Sequence, residues 1–169
     1  GAKVIGISND IPTKPSNYKV SQVNNYLKNI KLDIRNLSKL KKTIKRLKPD
    51  FVFHLAAQAL VKEAFLNPIK TWETNVLGTI NVLEYLKEIK KKCVVIIITS
   101  DKCYKNLEIN RGYKENDILG GSDPYSASKA SAELAIKSYL ESFINLKKSN
   151  LIVGIARAGN VIGGGDWSK

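Results

Sequence analysis

Apolar runs alternate with amphipathic stretches along the whole chain, the pattern of parallel strands joined by crossover helices. Residues 3–8 read as a first strand, and Asp10-Ile11-Pro12-Thr13 as the turn that leaves it. Residues 21–29 predict a short helix and residues 32–34 a brief strand. Leu37, Leu40, Ile44 and Leu47 then recur at helical spacing, with Asn36 or Ser38 available as a cap and Pro49 as a stop. Residues 51–56 predict another strand, and residues 69–90 a long helix whose core face carries Trp72, Val76, Ile80, Leu83 and Leu86. The unbroken apolar run over residues 93–98 is the mark of a strand buried on both faces, and it leads into Thr99-Ser100. A helix over residues 125–144 and a last strand over residues 151–156 complete an α/β pattern without internal repeats or low-complexity linkers. One domain over residues 1–169 is expected.

Composition narrows the class. At 169 residues and 43% hydrophobic content the chain can bury one core. It contains no Met and opens at Gly1 directly into a strand-like run, so the expectation is an internal piece of a longer protein. No stretch is apolar for the length of a membrane span, and no signal-peptide pattern opens the chain; a soluble, cytoplasmic protein is expected. Cys93 and Cys103 have neither metal spacing nor a disulfide framework and fit reduced thiols. The formal charge of +13 raises the question of nucleic acid. Lys39, Lys41, Lys42, Lys45, Arg46 and Lys48, however, lie opposite an apolar stripe on one helix, with few aromatics among them to stack bases, and read as a solvated face. His54, the single histidine, lies within a strand without Cys, Asp or Glu at metal-like spacing, so no metal is expected.

The candidate chemistry concentrates in two short stretches. Ser100 follows a buried parallel strand, and α/β proteins place their reactive groups outside the carboxyl ends of such strands. Tyr125 and Lys129 are four apart at the start of a helix, which stacks them on one face. There the ammonium favours the ionised phenolate and equips the tyrosine as a base for an alcohol proton.

A strand ending in Thr99-Ser100-Asp101, an irregular segment, and a helix opening at Tyr125 together resemble the short-chain dehydrogenase/reductase superfamily. The strings TSDKCYKN and GYKENDILGGSDPYSASKASAEL resemble, within it, the CDP-glucose 4,6-dehydratases, and RAGNVIGGGDW near the end adds to the likeness. The resemblance covers essentially the entire chain. It implies a Rossmann-like, doubly wound parallel sheet, here without the first strand, its glycine-rich turn and the C-terminal substrate domain. Gly163-Gly164-Gly165 follows the final strand, opens no helix and reads as a flexible turn or a loop over the substrate rather than a pyrophosphate cradle. Opening the centre of the sheet predicts poor stability and negligible turnover for the isolated piece.

The implied cofactor is NAD. By resemblance, Asp10 would accept hydrogen bonds from the adenosine ribose and repel a 2′-phosphate, Asp33 and Ile34 would border the adenine, and Leu55, Ala56 and Ala57 would line the ribose and pyrophosphate. Thr74 and Asn75 match a helix motif in which the asparagine orders the site, and an asparagine inside an apolar helix calls for a buried partner. Gln58 and Asn160 would contact the nucleotide sugar. The implied reaction starts when Tyr125 removes the proton of the sugar 4-hydroxyl, with Ser100 bonded to the same oxygen, and hydride leaves carbon 4 for NAD. Water is then lost across carbons 5 and 6, with Asp101 as the acid, and the hydride returns to carbon 6. Lys129 would also hold the nicotinamide ribose. Lys102 stands where the related dTDP-glucose dehydratases carry a glutamate, and steadying of an enolate is its expected role. The implied substrate is CDP-glucose, in deoxysugar biosynthesis of the kind that feeds lipopolysaccharide O-antigens, and the implied assembly is a homo-oligomer, dimer or tetramer, without nucleic acid or membrane. Two other readings stay open: another nucleotide-sugar enzyme of the extended family, an epimerase or a dTDP- or GDP-sugar dehydratase, and a non-catalytic basic binding module.

Overall fold

The computed structural model describes residues 1–144 and 150–165. Five parallel strands divide into two sheets. β1 (Ile5–Ser8) pairs with β2 (Lys28–Lys31), Ile5 opposite Lys28. β3 (Phe51–His54), β4 (Cys93–Ile98) and β5 (Leu151–Ala156) form the second sheet in that order, with Phe51 opposite Val94 and Val94 opposite Ile152. β1 and β3 each pair on one side only, so each keeps an open edge.

Three helices lie against the second sheet. α2 (Leu37–Leu47) starts at Asn36, whose side chain accepts from Lys39 N–H, and stops at Lys48, a left-handed residue before Pro49. Its buried side is Leu40, Thr43 and Ile44, while Leu37 is exposed and the lysines face solvent. α5 (Gly78–Leu86) contributes Val82, Leu83 and Leu86, and α6 (Pro124–Ser142) contributes Ile136. These meet Cys93, Val95, Ile97 and Leu151 in one apolar core, each large side chain adding about 1.5–3 kcal/mol through removal from water.

The amino-terminal quarter differs from the sequence expectation. Residues 21–29 are not a helix: a four-residue α1 (Asn17–Val20) and a 3₁₀ turn (Val23–Asn25) lead into β2, which begins at Lys28. The expected strand at residues 32–34 is instead the buried exit from β2, with Leu32 and Ile34 in the core. Pairing with β1 overrides the weak local preference of Lys28-Asn29-Ile30-Lys31, three of whose side chains point to water.

The expected helix over residues 69–90 is helical from Pro68 to Leu86 but not regular. α3 (Val61–Leu66) precedes it, unforeseen and without a side-chain cap, and α4 (Pro68–Trp72) passes through a π-helical turn (Glu73–Leu77) into α5. The wide turn shifts the phase, so the buried side of the first half is Thr71, Asn75 and Thr79, while Trp72 and Leu77 are exposed and Val76 and Ile80 only half-buried.

Candidate active site

Ser100 sits immediately beyond β4, buried, and caps a single 3₁₀ turn, Asp101–Cys103, by accepting from Lys102 N–H at 3.2 Å. Its own hydroxyl donates to Asp101 Oδ1 at 3.1 Å. Asp101 N–H donates to Ala158 O at 3.0 Å, which ties the turn to the segment after β5. The Lys102 ammonium is 3.8 Å from Asp101 Oδ1 and largely exposed, a loose pair worth little at a wet surface.

Tyr125 occupies the second position of α6, behind Pro124. Asp123 caps that helix: its carboxylate accepts from Tyr125 N–H at 2.9 Å, Ser126 N–H at 3.0 Å and Ser126 Oγ at 2.6 Å. These bonds outweigh the cost of burial and hold the Asp123 carboxyl below its ordinary range. Gly121 admits this packing, because a Cβ there would come within 2.4 Å of Ala127 N. Tyr125 and, one turn later, Lys129 are both more than nine-tenths buried. Burial pushes the Lys129 ammonium below the ordinary lysine range, with the Cys103 thiol opposing, and no carboxylate pairs with it among the described residues. An uncompensated buried cation on the same helix face as Tyr125 fits a ligand offering hydroxyl oxygens.

Asn75 explains its place in the helix. Its Oδ1 accepts from Gln58 N–H at 2.8 Å, and its Nδ2 donates to Gln58 O at 3.0 Å and to Ser128 Oγ at 2.9 Å. One side chain thereby joins the loop after β3 to α6 between Tyr125 and Lys129. Thr79 Oγ1 donates to Asn75 O at 2.8 Å, so its oxygen accepts from His54 Nε2–H at 3.0 Å. His54 is a neutral core residue, its pKa lowered to about 4 by burial and by the Lys129 charge. Among the described residues no cluster of His, Cys, Asp and Glu could hold a metal.

The remaining sequence candidates follow other strands at their carboxyl ends, apart from Thr74, which lies in the π-helical turn. Asp10 is exposed after β1. The Asp33 carboxylate is paired with Arg35 at 2.7 Å, whose hydrogen bond holds its pKa low, and Ile34 is buried in the core, where a Cβ on Gly78 would collide with it. Ile34 O accepts from Asn81. Leu55 is exposed, and Ala56 and Ala57 are half-buried. The Gln58 side chain is spent within the protein, bonding Leu60 N–H and Leu60 O in its own loop and Thr71 Oγ1 on α4. Thr74 Oγ1 donates to Lys70 O within its helix. Asn160 is exposed beyond β5, and Asp166 and Trp167 of the closing motif lie outside the described residues.

An open cleft of about 1260 Å³ runs past the turn and the start of α6, lined by Asp101, Lys102, Tyr104, Tyr113, Asp123 and Arg157. Sequence reasoning missed Glu133, which continues the Tyr125, Lys129 spacing by one more turn and is 3% exposed. Its bidentate partner Arg157 opens the RAGNVIGGGDW string just past β5. A carboxylate in step with Tyr125 and Lys129 on a helix of mostly small residues was the available signal.

Similarity to known proteins identifies the family. The family model described as GDP-mannose 4,6 dehydratase matches residues 1–154. The CDP-glucose 4,6-dehydratase of Salmonella typhimurium is 45% identical over 172 aligned positions, covering 100% of this chain and 48% of that protein. The dTDP-D-glucose 4,6-dehydratase of Dictyostelium discoideum is 38% identical, over 73% of this chain and 29% of that one. The chain thus spans about half the length, or less, of the curated relatives it matches. Among solved structures, a dTDP-glucose 4,6-dehydratase from Streptomyces venezuelae with NAD bound superposes with a TM-score of 0.73 at 26% identity, over 92% of this chain and 45% of that one. The UDP-glucose 4-epimerase of Thermotoga maritima shares the fold, TM-score 0.76 at 22% identity, over 93% and 47%. With its Rossmann-like α/β fold and a family match running through both Ser100 and Tyr125, the chain belongs to the GDP-mannose 4,6 dehydratase family.

Proposed function

We propose that the chain is the dinucleotide-binding half of a longer enzyme that dehydrates CDP-glucose to CDP-4-keto-6-deoxyglucose. The observation that carries this reading is a carboxylate, Asp101, hydrogen-bonded to Ser100 at the exit of β4, in a chain 45% identical along its whole length to a CDP-glucose 4,6-dehydratase. An epimerase needs the alcohol-proton base but has no leaving hydroxyl to protonate, and so has no task for that carboxylate.

Tyr125 takes the proton from the 4-hydroxyl, with the Lys129 ammonium buried one turn further along the same helix, while Ser100 bonds the same oxygen. Asp101, open to the cleft, would protonate the departing 6-hydroxyl, while the carbon-5 proton goes to a water or another group and Lys102 steadies the enolate that forms. NAD fits the unpaired Lys129 ammonium, which would hold the nicotinamide ribose, and Asp10, whose exposed carboxylate would hold the adenosine ribose. When bound it supplies a reversible hydride acceptor. Asp33, Ile34, Leu55, Ala56, Ala57 and Thr74 would contribute backbone and shape, since their polar side chains bond within the protein. Gln58 would act as a loop support beside the substrate and Asn160 as a contact at the mouth of the site. Lys102 is free enough to reach into the cleft. The exposed apolar side chains of Leu66, Ile69, Trp72 and Leu77 support a homo-oligomer, and among the described residues no helix is long and apolar enough to cross a membrane.

The test uses CDP-glucose deuterated at carbon 4 and the protein with its flanking sequence in place. The expected product is a keto-deoxy sugar nucleotide with its label at carbon 6, and Tyr125→Phe lowers its rate by about 10²–10⁴-fold. Label that stays at carbon 4, or that is found in an epimer, overturns the proposal.

A further inference from the structure

Glu133 lies on α6 two turns beyond Tyr125, and no step of the chemistry above uses it. Its Oε1 accepts from Thr99 Oγ1 at 2.6 Å and from the Cys103 thiol at 3.3 Å. Those two residues bracket Ser100-Asp101-Lys102. Arg157, just past β5, closes on the same carboxylate: Nε lies 2.9 Å from both oxygens and a terminal nitrogen 2.6 Å from Oε2. Its other terminal nitrogen donates to Glu115 O at 2.9 Å, and its guanidinium lies 4.7 Å from the centre of the Tyr104 ring. Thr99, Cys103 and Glu133 are all buried.

We infer that Glu133 is a positioning residue: through Thr99 and Cys103 it clamps both ends of the turn carrying Ser100 and Asp101 to the helix carrying Tyr125 and Lys129. The physical reason is economy of connection. The alcohol oxygen must sit between Ser100 and Tyr125, and these belong to different elements. A misplacement of about 1 Å between reacting groups costs on the order of 100-fold in rate. Hydrogen bonds to a charged acceptor are about twice as strong as neutral ones, and burial of the pair excludes competing water. Arg157 supplies the countercharge that lets a carboxylate stay ionised at this depth. Burial alone would raise the Glu133 carboxyl; the bonds from Arg157, Thr99 and Cys103 outweigh it and bring the carboxyl below its ordinary range.

The inference rests on the dehydratase reading for its rate readout, and the Cys103 thiol gives a readout that needs no substrate. Buried beside Glu133, that thiol is pushed up to about 12 and is inert to alkylation while the clamp holds. In the protein with its flanking sequence, Thr99→Val and Glu133→Gln are expected to lower kcat roughly 10- to 100-fold with KM unchanged. Iodoacetamide labelling of Cys103, located by mass spectrometry, should rise about tenfold or more in the same variants, through the thiolate fraction and access it gains. Thr99→Ser, which keeps the hydroxyl, should retain both wild-type values. A wild-type kcat in Thr99→Val, a lowered kcat with Cys103 still protected, or Thr99→Ser behaving like Thr99→Val overturns the inference. If the wild-type protein converts no nucleotide sugar, the dehydratase reading fails, and the labelling results alone decide whether the clamp exists.

Discussion

The two faces of the β3-β4-β5 sheet are built from the same strands and have opposite surroundings. On one, His54, Cys93, Val95, Ile97 and Leu151 are buried under α2, α5 and α6. On the other, the alternate residues are as apolar, yet Phe51, Phe53 and Leu55 are each about two-thirds exposed and Ile152 is 49% exposed. A strand apolar on both faces is composed for burial on both. The contrast teaches that the open face has the composition of a face made for covering, which the described residues leave bare. The candidate site residues are unaffected by this asymmetry, because they gather at the strand ends and on α6 rather than on either face.

Substitutions on the two faces should separate sharply. Ile97→Ala, on the covered face, should cost about 2–5 kcal/mol in denaturant titration, from lost transfer energy plus a cavity. A loss below about 1 kcal/mol would mean that the covered face is not the core. The pH dependence of His54 probes the same face more gently. Its folded pKa of about 4 lies below the ordinary 6.5, so between those values the unfolded chain binds a proton that the native one refuses. Stability should therefore be full above pH 6.5 and fall as the pH drops toward 4, by about 2 kcal/mol between pH 7 and 5. His54→Gln should flatten that portion of the profile, and an unchanged slope would remove the burial argument. The smallest effect belongs to the neighbouring residue: Phe53→Ser should move stability by no more than about 0.5 kcal/mol. It should nonetheless reduce self-association in sedimentation, and a core-sized loss would show that the open face is covered in solution.

What was legible in the sequence follows the same division. β3, β4, β5, α2 and α6 came through because apolar runs and helical spacing were backed by caps such as Asn36 and by tertiary burial. Asn75 was legible too, as a polar residue in an apolar helix that had to find partners. β2 was not, since Lys28-Asn29-Ile30-Lys31 has neither alternation nor propensity and is a strand only because β1 pairs with it. The π-helical turn left no composition signal, and so the exposure of Trp72 was unforeseen. At the site, Ser100, Tyr125 and Lys129 could be named from spacing, whereas the Glu133–Arg157 pair joins residues 24 apart in sequence and needed three dimensions to be seen.

The wide turn at Glu73–Leu77 carries one more implication. It aims Asn75 at both Gln58 and Ser128, and that aim depends on how many residues the helix contains before Gly78 as well as on which they are. Shortening this segment by a single position would leave every named side chain of the site in the polypeptide and still detach the β3 loop from the helix of Tyr125, so here the residue count matters as much as the residue types.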